Sequence, residues 1–408
     1  MQLCLLLCLV LLSPQAAALR RHHSGVMKKR SKEPLPATTS APAENDFVFD
    51  LYRAIAAANP SQNIFFSPLS ISTTLAMVSL GTGSSSRQQI LEALGISSQE
   101  DWEEAQLHTT YQTLLQELSQ PRDSLQLKLG NVLFISPQVN IYETFLNAVK
   151  TLYLADTFPT NFRDPVKAQK MINDYVAKET KDNVVDLISS LDSTEVMVMV
   201  NYIFFKAKWE SAFSRKNSRK QDFYVTPDKS VRVVMMRNED YYRYLMDRSL
   251  SCQVVAVPYQ GNTTALFILP IEGRMEQVEN GLTEKTVKKW LKSFTKRQLS
   301  LYLPRLSLEC SYELQNILPV MGIRDIFSSH ADLSRMTDHS NIEVSEMVHK
   351  AVLKVDESGT EAAAATAAIF TFRSAQMITQ RIMFNRPFLM LIVDNSTNIL
   401  FVAKVNHP

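Results

Sequence analysis

Glycine is scarce in this 408-residue chain, with 10 in all. Folds that cradle phosphates need glycine-rich loops, and none is present. Histidine is sparse too, at 7. No His-Glu-x-x-His, Gly-x-Ser-x-Gly or Cys-x-x-Cys occurs, so the common metal and nucleophile motifs are missing. His330 and Asp332 read as a turn pair, and the chain is not expected to be an enzyme. Net charge is also nearly absent: 43 Lys and Arg against 41 Asp and Glu leave +2. Any binding to polyanions, nucleic acid included, must then come from local clustering. Of 4 cysteines, Cys4 and Cys8 lie in the first 18 residues. Cys252 and Cys310 are too few for a disulfide framework, leaving one bridge or two separate thiols. No apolar run reaches the roughly 18 residues that cross a bilayer.

What is present is ordinary globular material, 45% hydrophobic and 21% charged, enough for a large core. Leu3 to Leu12 is an apolar run followed by Ser13-Pro14-Gln15 and Ala16-Ala17-Ala18. That reads as a secretory signal, residues 1–18, although the usual basic start is missing. Residues 19–44 hold Arg20, Arg21, Lys28, Lys29, Arg30 and Lys32 and almost no large hydrophobes. They read as a basic disordered tail, either solubilising or anion-binding. Asn262-Thr-Thr and Asn395-Ser-Thr are acceptor sequons for N-glycans and fit secretion.

From Phe47 the pattern turns helical, with Phe47, Leu51, Ile55 and Ala58 on one face. Further helices are expected over Pro68–Leu80, Ser86–Leu94, Ile141–Tyr153, Pro165–Thr180, Thr283–Thr295 and Ser311–Met321. Strands are expected at Leu125–Ile135, Val196–Lys206, Arg232–Met236, Val254–Pro258, Thr264–Leu269, Leu299–Leu303, Ile382–Asp394 and Ile399–Val405. The last two form buried antiparallel strands joined at Asn395-Ser396-Thr397. No repeat or second linker is visible, so residues 45–408 read as one large α+β domain.

A helical wheel over residues 283–297, at about 100° per residue, puts Lys288, Lys289, Lys292 and Lys296 within roughly 60° of Lys285. Val287, Trp290, Leu291 and Phe294 cluster opposite, and Arg297 lies at the stripe's edge. Only Glu284 offsets the cations locally. A solvated lysine face normally interleaves acids; this one suggests a polyanion, for a secreted chain a sulfated glycosaminoglycan such as heparin rather than DNA, so no nucleic-acid partner is expected.

The stretch from Glu357 to Ala375 is anomalous. Asp356 or Ser358 could cap a helix there, and Ala362, Ala363, Ala364 and Ala365 are the best helix formers. Yet it has no apolar stripe, and its large hydrophobes (Ile369, Phe370, Phe372) come late and run into Arg373-Ser374, a bond suited to proteolysis.

Several segments together resemble the serpin family over nearly all the chain after Glu44. They are Asn63-Ile-Phe-Phe-Ser-Pro-Leu-Ser-Ile, Val200-Asn-Tyr-Ile-Phe-Phe-Lys-Ala-Lys-Trp209, and the run from His349 through Glu357-Ser-Gly-Thr-Glu-Ala-Ala-Ala-Ala. Phe384-Asn-Arg-Pro-Phe-Leu-Met-Leu-Ile and Ile399-Leu-Phe-Val-Ala-Lys-Val complete the set. The resemblance implies three β-sheets, the central one five-stranded, about nine helices, and an exposed reactive-centre loop over about 357–380. It further implies a monomeric inhibitor of trypsin-like serine proteases. Activated protein C, thrombin, kallikreins and plasminogen activators are the candidates, and heparin would act as modulator rather than cofactor. The protease would cleave Arg373-Ser374, with Thr371 and Phe372 shaping specificity. The loop would then insert as a central strand and trap the acyl-enzyme. Gly359, Thr360, Glu361 and Ala362 to Ala365 would be the hinge. By the same resemblance Ser67, Ser70, Asn201 and His349 match a polar shutter beneath the opening strands, and Trp209 matches the breach where insertion begins.

The loop sequence suits that mechanism. In a strand, Thr360, Ala362, Ala364, Thr366, Ala368 and Phe370 share one face, small and uncharged, and Glu361 falls on the other. About 14 residues at ~3.3 Å span ~46 Å, enough to cross a domain. The alternative is a non-inhibitory member that carries an apolar ligand.

Overall fold

The computed structural model describes residues 46–96, 101–120, 125–340, 342–359 and 379–408. Residues 1–18 and 19–44, expected as signal and tail, lie outside the described residues, as do Thr360 through Ala365 and Thr371 through Ser374. Among the described residues there are eight α-helices and fourteen strands.

Local chemistry explains the helix starts. Helix α1 (Phe47–Ala58) is capped by Asp46, whose Oδ1 accepts from Phe49 N–H. Helix α2 (Pro68–Ser79) starts on Ser67, which accepts from Ser70 N–H, with proline at the first helical position. Almost every α2 residue is buried, including Ser70, Ser72, Thr73, Thr74 and Ser79. Its hydroxyls tolerate this because they donate to carbonyls three or four residues back, as Thr73 does to Leu69 and Ser79 to Ala76. Helices α3 (Ser84–Ala93) and α4 (Asp101–Ser119) follow, then α5 (Glu143–Tyr153) and α6 (Pro165–Thr180), the last capped by Asp164.

The strands form two hydrogen-bonded sheets. The five-stranded one runs β10 (Leu306–Glu313), β11 (Glu346–Val355), β4 (Met197–Ala207), β2 (Leu125–Ile135), β3 (Asp156–Pro159). At its centre β11 and β4 are parallel neighbours, Glu346 opposite Val198 and His349 opposite Asn201. Strand β4 is buried on both faces. Val198, Val200, Tyr202 and Phe204 pack with Ile172 and Val176 of α6, while Ile203 and Phe205 join the core on the other side. Such double burial yields the apolar run seen at Val196–Lys206, interrupted by Asn201.

The nine-stranded sheet runs β1 (Ile64–Phe66), β14 (Ile399–Val405), β13 (Phe388–Asp394), β8 (Thr263–Pro270), β7 (Cys252–Pro258), β6 (Lys229–Asp247), β9 (Thr295–Pro304), β12 (Gln380–Met383). Strand β5 (Arg219–Thr226) pairs with β6 off this path. The 19-residue β6 serves two sheets: Met235 to Tyr244 pair with β9, and Arg243 to Asp247 with β7. Together with the central sheet, this gives the three-sheet α+β architecture. Helices α7 (Met275–Gly281) and α8 (Glu284–Ser293) lie between β8 and β9.

Several expectations change. The helix expected over Ser311–Met321 is the end of β10 followed by two short 3-10 turns, Leu314–Asn316 and Leu318–Met321. The alternation from Leu306 to Tyr312 is a strand signal, overruled in the sequence by the helical spacing after it. The strand expected over Ile382–Asp394 is two, interrupted at Asn385-Arg386-Pro387, where proline has no N–H for a ladder. The basic helix ends at Ser293 rather than Thr295 or beyond. Phe294 is extended, so Lys296 and Arg297 sit on β9 opposite Arg243 and Tyr242. Strand pairing with β6 overrides the helical pattern there. Helices α4 and α7 and strands β1, β3, β5 and β11 were not expected as such.

Helix α8 is fastened by Trp290. Its indole is buried and donates to Asp247 Oδ2 at 2.7 Å, while Asp247 Oδ1 accepts from Ser249 and Leu250 N–H. Trp290→Phe keeps an aromatic ring but removes the pyrrole portion and strips this donor from a buried carboxylate. A loss of about 1–3 kcal/mol is expected, read as an earlier urea midpoint of the native state.

Candidate functional site

The β4–β11 seam carries polar side chains at three levels. In its middle, His349 Nε2 accepts from Ser67 N–H at 3.2 Å, which fixes the proton on Nδ1. That proton goes to Asn201 Oδ1 at 2.5 Å. Asn201 Oδ1 also accepts from Ser70 Oγ, and its amide donates to Asn131 Oδ1 at 2.8 Å. Thr74 Oγ1 donates to the same Asn131 oxygen at 2.6 Å. All six side chains are buried. Burial pushes His349 down to about 3, so the imidazole is neutral at physiological pH. The structure therefore unites Ser67, Ser70, Asn201 and His349 and adds Thr74 and Asn131, which sequence reasoning missed. The available signal was an asparagine inside the apolar β2 run, directly opposite Asn201.

At the upper end the chain leaves β11 through a tight hairpin. Asp356 N–H donates to Gly359 O at 2.7 Å, and the Asp356 carboxylate accepts from Ser358 N–H and Oγ. Gly359 has φ +125°, and a Cβ there would lie 2.3 Å from Ala207 O and 2.6 Å from Trp209 N. Only glycine fits. Trp209 is buried, stacks on Tyr259 at 4.1 Å between centroids, and donates through Nε1 to Asp356 O at 3.0 Å. Its own N–H donates to Ser358 O, and Phe213 N–H to Glu357 O. Glu357 is 2% exposed, yet Arg305 grips it with Nε at 2.7 Å and Nη2 at 2.5 Å, and Ser218 Oγ donates at 2.6 Å. Arg305, Ser218 and Glu357 were not anticipated, because nothing local in sequence links them. Of the expected hinge, Gly359 alone is described.

At the lower end Glu346 opens β11, half-buried. Burial, then the charges of Glu195 and Glu313, push its carboxyl up to about 7. Glu357 is the reverse: burial alone would raise it, but hydrogen bonds from Arg305 and Ser218 outweigh that and hold it below its ordinary 4.5.

The cationic face is exposed at Lys285, Lys288, Lys289, Lys292, Lys296 and Arg297. Lys288 pairs with Glu284 at 3.0 Å. Thr283 caps the helix, and Val287 and Trp290 bury its other side. Lys296 lies over the Tyr241 ring, and Arg243 over Phe294 with Nη2 donating to Leu291 O. Asn262 and Asn395 are exposed in the β7–β8 and β13–β14 turns, and Cys252 and Cys310 are unbridged. Among the described residues no helix is long and apolar enough to cross a membrane.

A three-sheet body with a glycine hairpin at the end of a parallel central seam is the serpin arrangement, and residues 42–408 match the family model described as Serpin (serine protease inhibitor). The chain belongs to the serpin family, whose members are protease inhibitors rather than enzymes. It is 64% identical over 409 residues to the human plasma serine protease inhibitor, covering 100% of both chains, and 64% identical to the bovine protein of that name at the same coverage. Human thyroxine-binding globulin, solved with its hormone, is similar in fold at a TM-score of 0.84 and 39% identity, over 90% of this chain and 97% of that one.

The two glutamates should show opposite pH signatures. Glu357 is depressed, so its contribution is complete above its unfolded value near 4.5 and lost as pH falls through the folded value. Glu357→Gln is then expected to cost about 1–2 kcal/mol at neutral pH, discounted for the half-exposed Arg305, and little in acid. Glu346 is raised, so its penalty is complete above about 7 and relieved as pH falls from there towards 4.5. Glu346→Gln should stabilise above pH 7 and lose that gain near pH 4.5. Urea midpoints across pH 4–8 read both.

Proposed function

We propose that this serpin is a secreted, monomeric, heparin-binding inhibitor of trypsin-like serine proteases, with Arg373-Ser374 as its scissile bond. The N-terminal apolar run, the two sequons and the plasma origin in its relatives' names support secretion. On this reading residues 1–18 are the signal, 19–44 the basic tail and 45–408 the inhibitor domain.

One observation carries the mechanism: the Asp356–Gly359 hairpin turns the chain back directly over the β4–β11 seam. Continued along β11, that register sets Ala362 opposite Leu353, Ala364 opposite Ala351, Thr366 opposite His349 and Ala368 opposite Met347. Opposed residues share a face. Both faces of β11 are buried over this span, Leu353, Ala351, His349 and Met347 on one and Val352, Lys350 and Val348 on the other, so a run that is small on both faces from Ala362 to Ala368 would suit it. Glu361 would fall opposite Lys354, exposed and oppositely charged. The sequence after Gly359 fits a strand between β4 and β11 residue by residue. Attack by the protease serine on the Arg373 carbonyl gives the acyl-enzyme, and insertion then draws the ester, with its protease, along the sheet. Arg373 would pair with an acidic specificity pocket, and Thr371 and Phe372 would select among targets such as activated protein C, thrombin, kallikreins and plasminogen activators. Heparin bound along α8 and onto Lys296 and Arg297 would concentrate inhibitor and protease together. A role in haemostasis follows from those targets.

Thr360→Arg should turn the inhibitor into a substrate, because a guanidinium would have to enter the packed seam. Denaturing gels after incubation with a panel of trypsin-like proteases, with and without heparin, test this. The parent chain should give covalent complexes and the variant only chain cut after Arg373. A detergent-stable complex from the variant would sink the insertion reading. Lys289→Ala and Lys292→Ala should each reduce the salt slope of heparin binding by about one. A slope left unchanged would point to a merely solvated face.

A second reading is favoured by the likeness to thyroxine-binding globulin: carriage of an apolar ligand. Cleavage of the parent chain without any complex would promote it.

A further inference from the structure

The two N-glycan sequons lie far apart in sequence and meet in space. Strand β8 opens at Thr263 and β13 closes at Asp394, and these residues oppose each other in the antiparallel ladder. One step outward, the next residues on the two chains are Asn262 and Asn395. The backbone keeps them paired there, with Asn395 N–H donating to Asn262 O at 2.9 Å. Directly opposed residues carry Cβ atoms about 4.5–5.5 Å apart on one face. Both are exposed.

We propose that Asn262 and Asn395 form one double N-glycan site, whose two oligosaccharide stems pack side by side over the ends of β8 and β13. The proposal rests on the secretory reading above. In each transfer the side-chain amide nitrogen displaces the lipid pyrophosphate from the anomeric carbon of the donor sugar and loses one N–H proton. Thr264 and Thr397 supply the sequon hydroxyls. The second acceptor is shut by folding. Asp394 Oδ1 accepts from Asn398 N–H and Oδ2 from the Asn398 amide, both at 2.8 Å, and Thr397 takes φ +72°. Transfer to Asn395 therefore precedes closure of the β13–β14 turn, and folding then brings the two stems together. A pyranose ring is about as wide as the gap between the two Cβ atoms, so each stem obstructs enzymes that trim the other. The pair also stands beside the seam's upper end: Gln260 N–H donates to Lys208 O at 2.7 Å, and Lys208 bridges to Gly359.

The test expresses the full chain in a mammalian secretory line. Glycans are released enzymatically in heavy-oxygen water to mark each occupied asparagine, and a glycosidase specific for high-mannose chains reports trimming at each site. Both marks are expected on the same molecules, with a high-mannose fraction that falls at either site when the other is removed by N262Q or N395Q. T264A, which deletes the first sequon without touching Asn262, should reproduce N262Q. An unmodified Asn395 beside an occupied Asn262, or trimming at each site that ignores the other, overturns the double site and leaves secretion standing. A chain recovered from the medium with no glycan at either asparagine overturns the double site alone, and a chain that never reaches the medium overturns the secretory reading.

Discussion

Everything distinctive in this molecule depends on one parallel strand pair, β4 against β11. The central sheet could be closed there by apolar interdigitation alone, since both strands are largely buried. Instead its middle carries a neutral histidine, two asparagines and three hydroxyl residues in a connected network. Such a network is costly to break, since orphaning a buried group costs about 1–3 kcal/mol. The buried Asn131 amide nitrogen is already without a partner. The network also offers donors and acceptors that a newly arriving polar residue can use, which an apolar seam does not. Thr366, opposite His349 in the proposed insertion, is the one polar residue in the run from Ala362 to Ala368.

The ends of β11 are set against each other. At the top a buried carboxylate is gripped in bidentate fashion by Arg305, a geometry that lysine could not reproduce. At the bottom Glu346 lies near Glu195 and Glu313, and burial, then their charges, push its carboxyl up to about 7. Attraction at one end and crowded carboxylates at the other make the two ends of β11 electrostatically unlike, while Ser345 still ties the lower end to β4, its hydroxyl accepting from Val196 N–H and its own N–H donating to Met197 O.

Legibility from sequence followed the range of the interactions. Helix α6 was legible to the residue, because proline, an aspartate cap and a period of 3.6 all lie within it. Strands β2, β7, β8, β13 and β14 were visible as apolar runs. Strand β11 was not, since Lys350 interrupts its apolar pattern. That lysine is buried only because Val185 O and Glu309 meet its ammonium from elsewhere. The shutter residues came from family likeness, and Asn131 and Thr74 show what likeness to quoted segments leaves out. Arg305 is a lone cation in a strand connection until Glu357, 52 residues later, folds onto it. No periodicity can announce such a pair.

The cationic face teaches the same lesson from the other side. A helical wheel gathered Lys296 with Lys285, but the chain leaves the helix at Phe294 and pairs with β6 instead. The charges remain contiguous because β9 continues directly from α8. The change is geometric: a helix repeats its cations every 5.4 Å along a straight axis, whereas a strand carries its side chains to alternating faces. Lys296 and Arg297 therefore cannot both extend the helical row, and Arg243, contributed by β6, is the cation opposite Lys296. A sulfated chain lying along α8 would meet a bend at Phe294, with Lys296 above Tyr241 on the sheet beyond it. On the proposed heparin reading, that bend would give the face a direction, from the free surface of α8 along β9 towards β12. A straight helix of five lysines would have none.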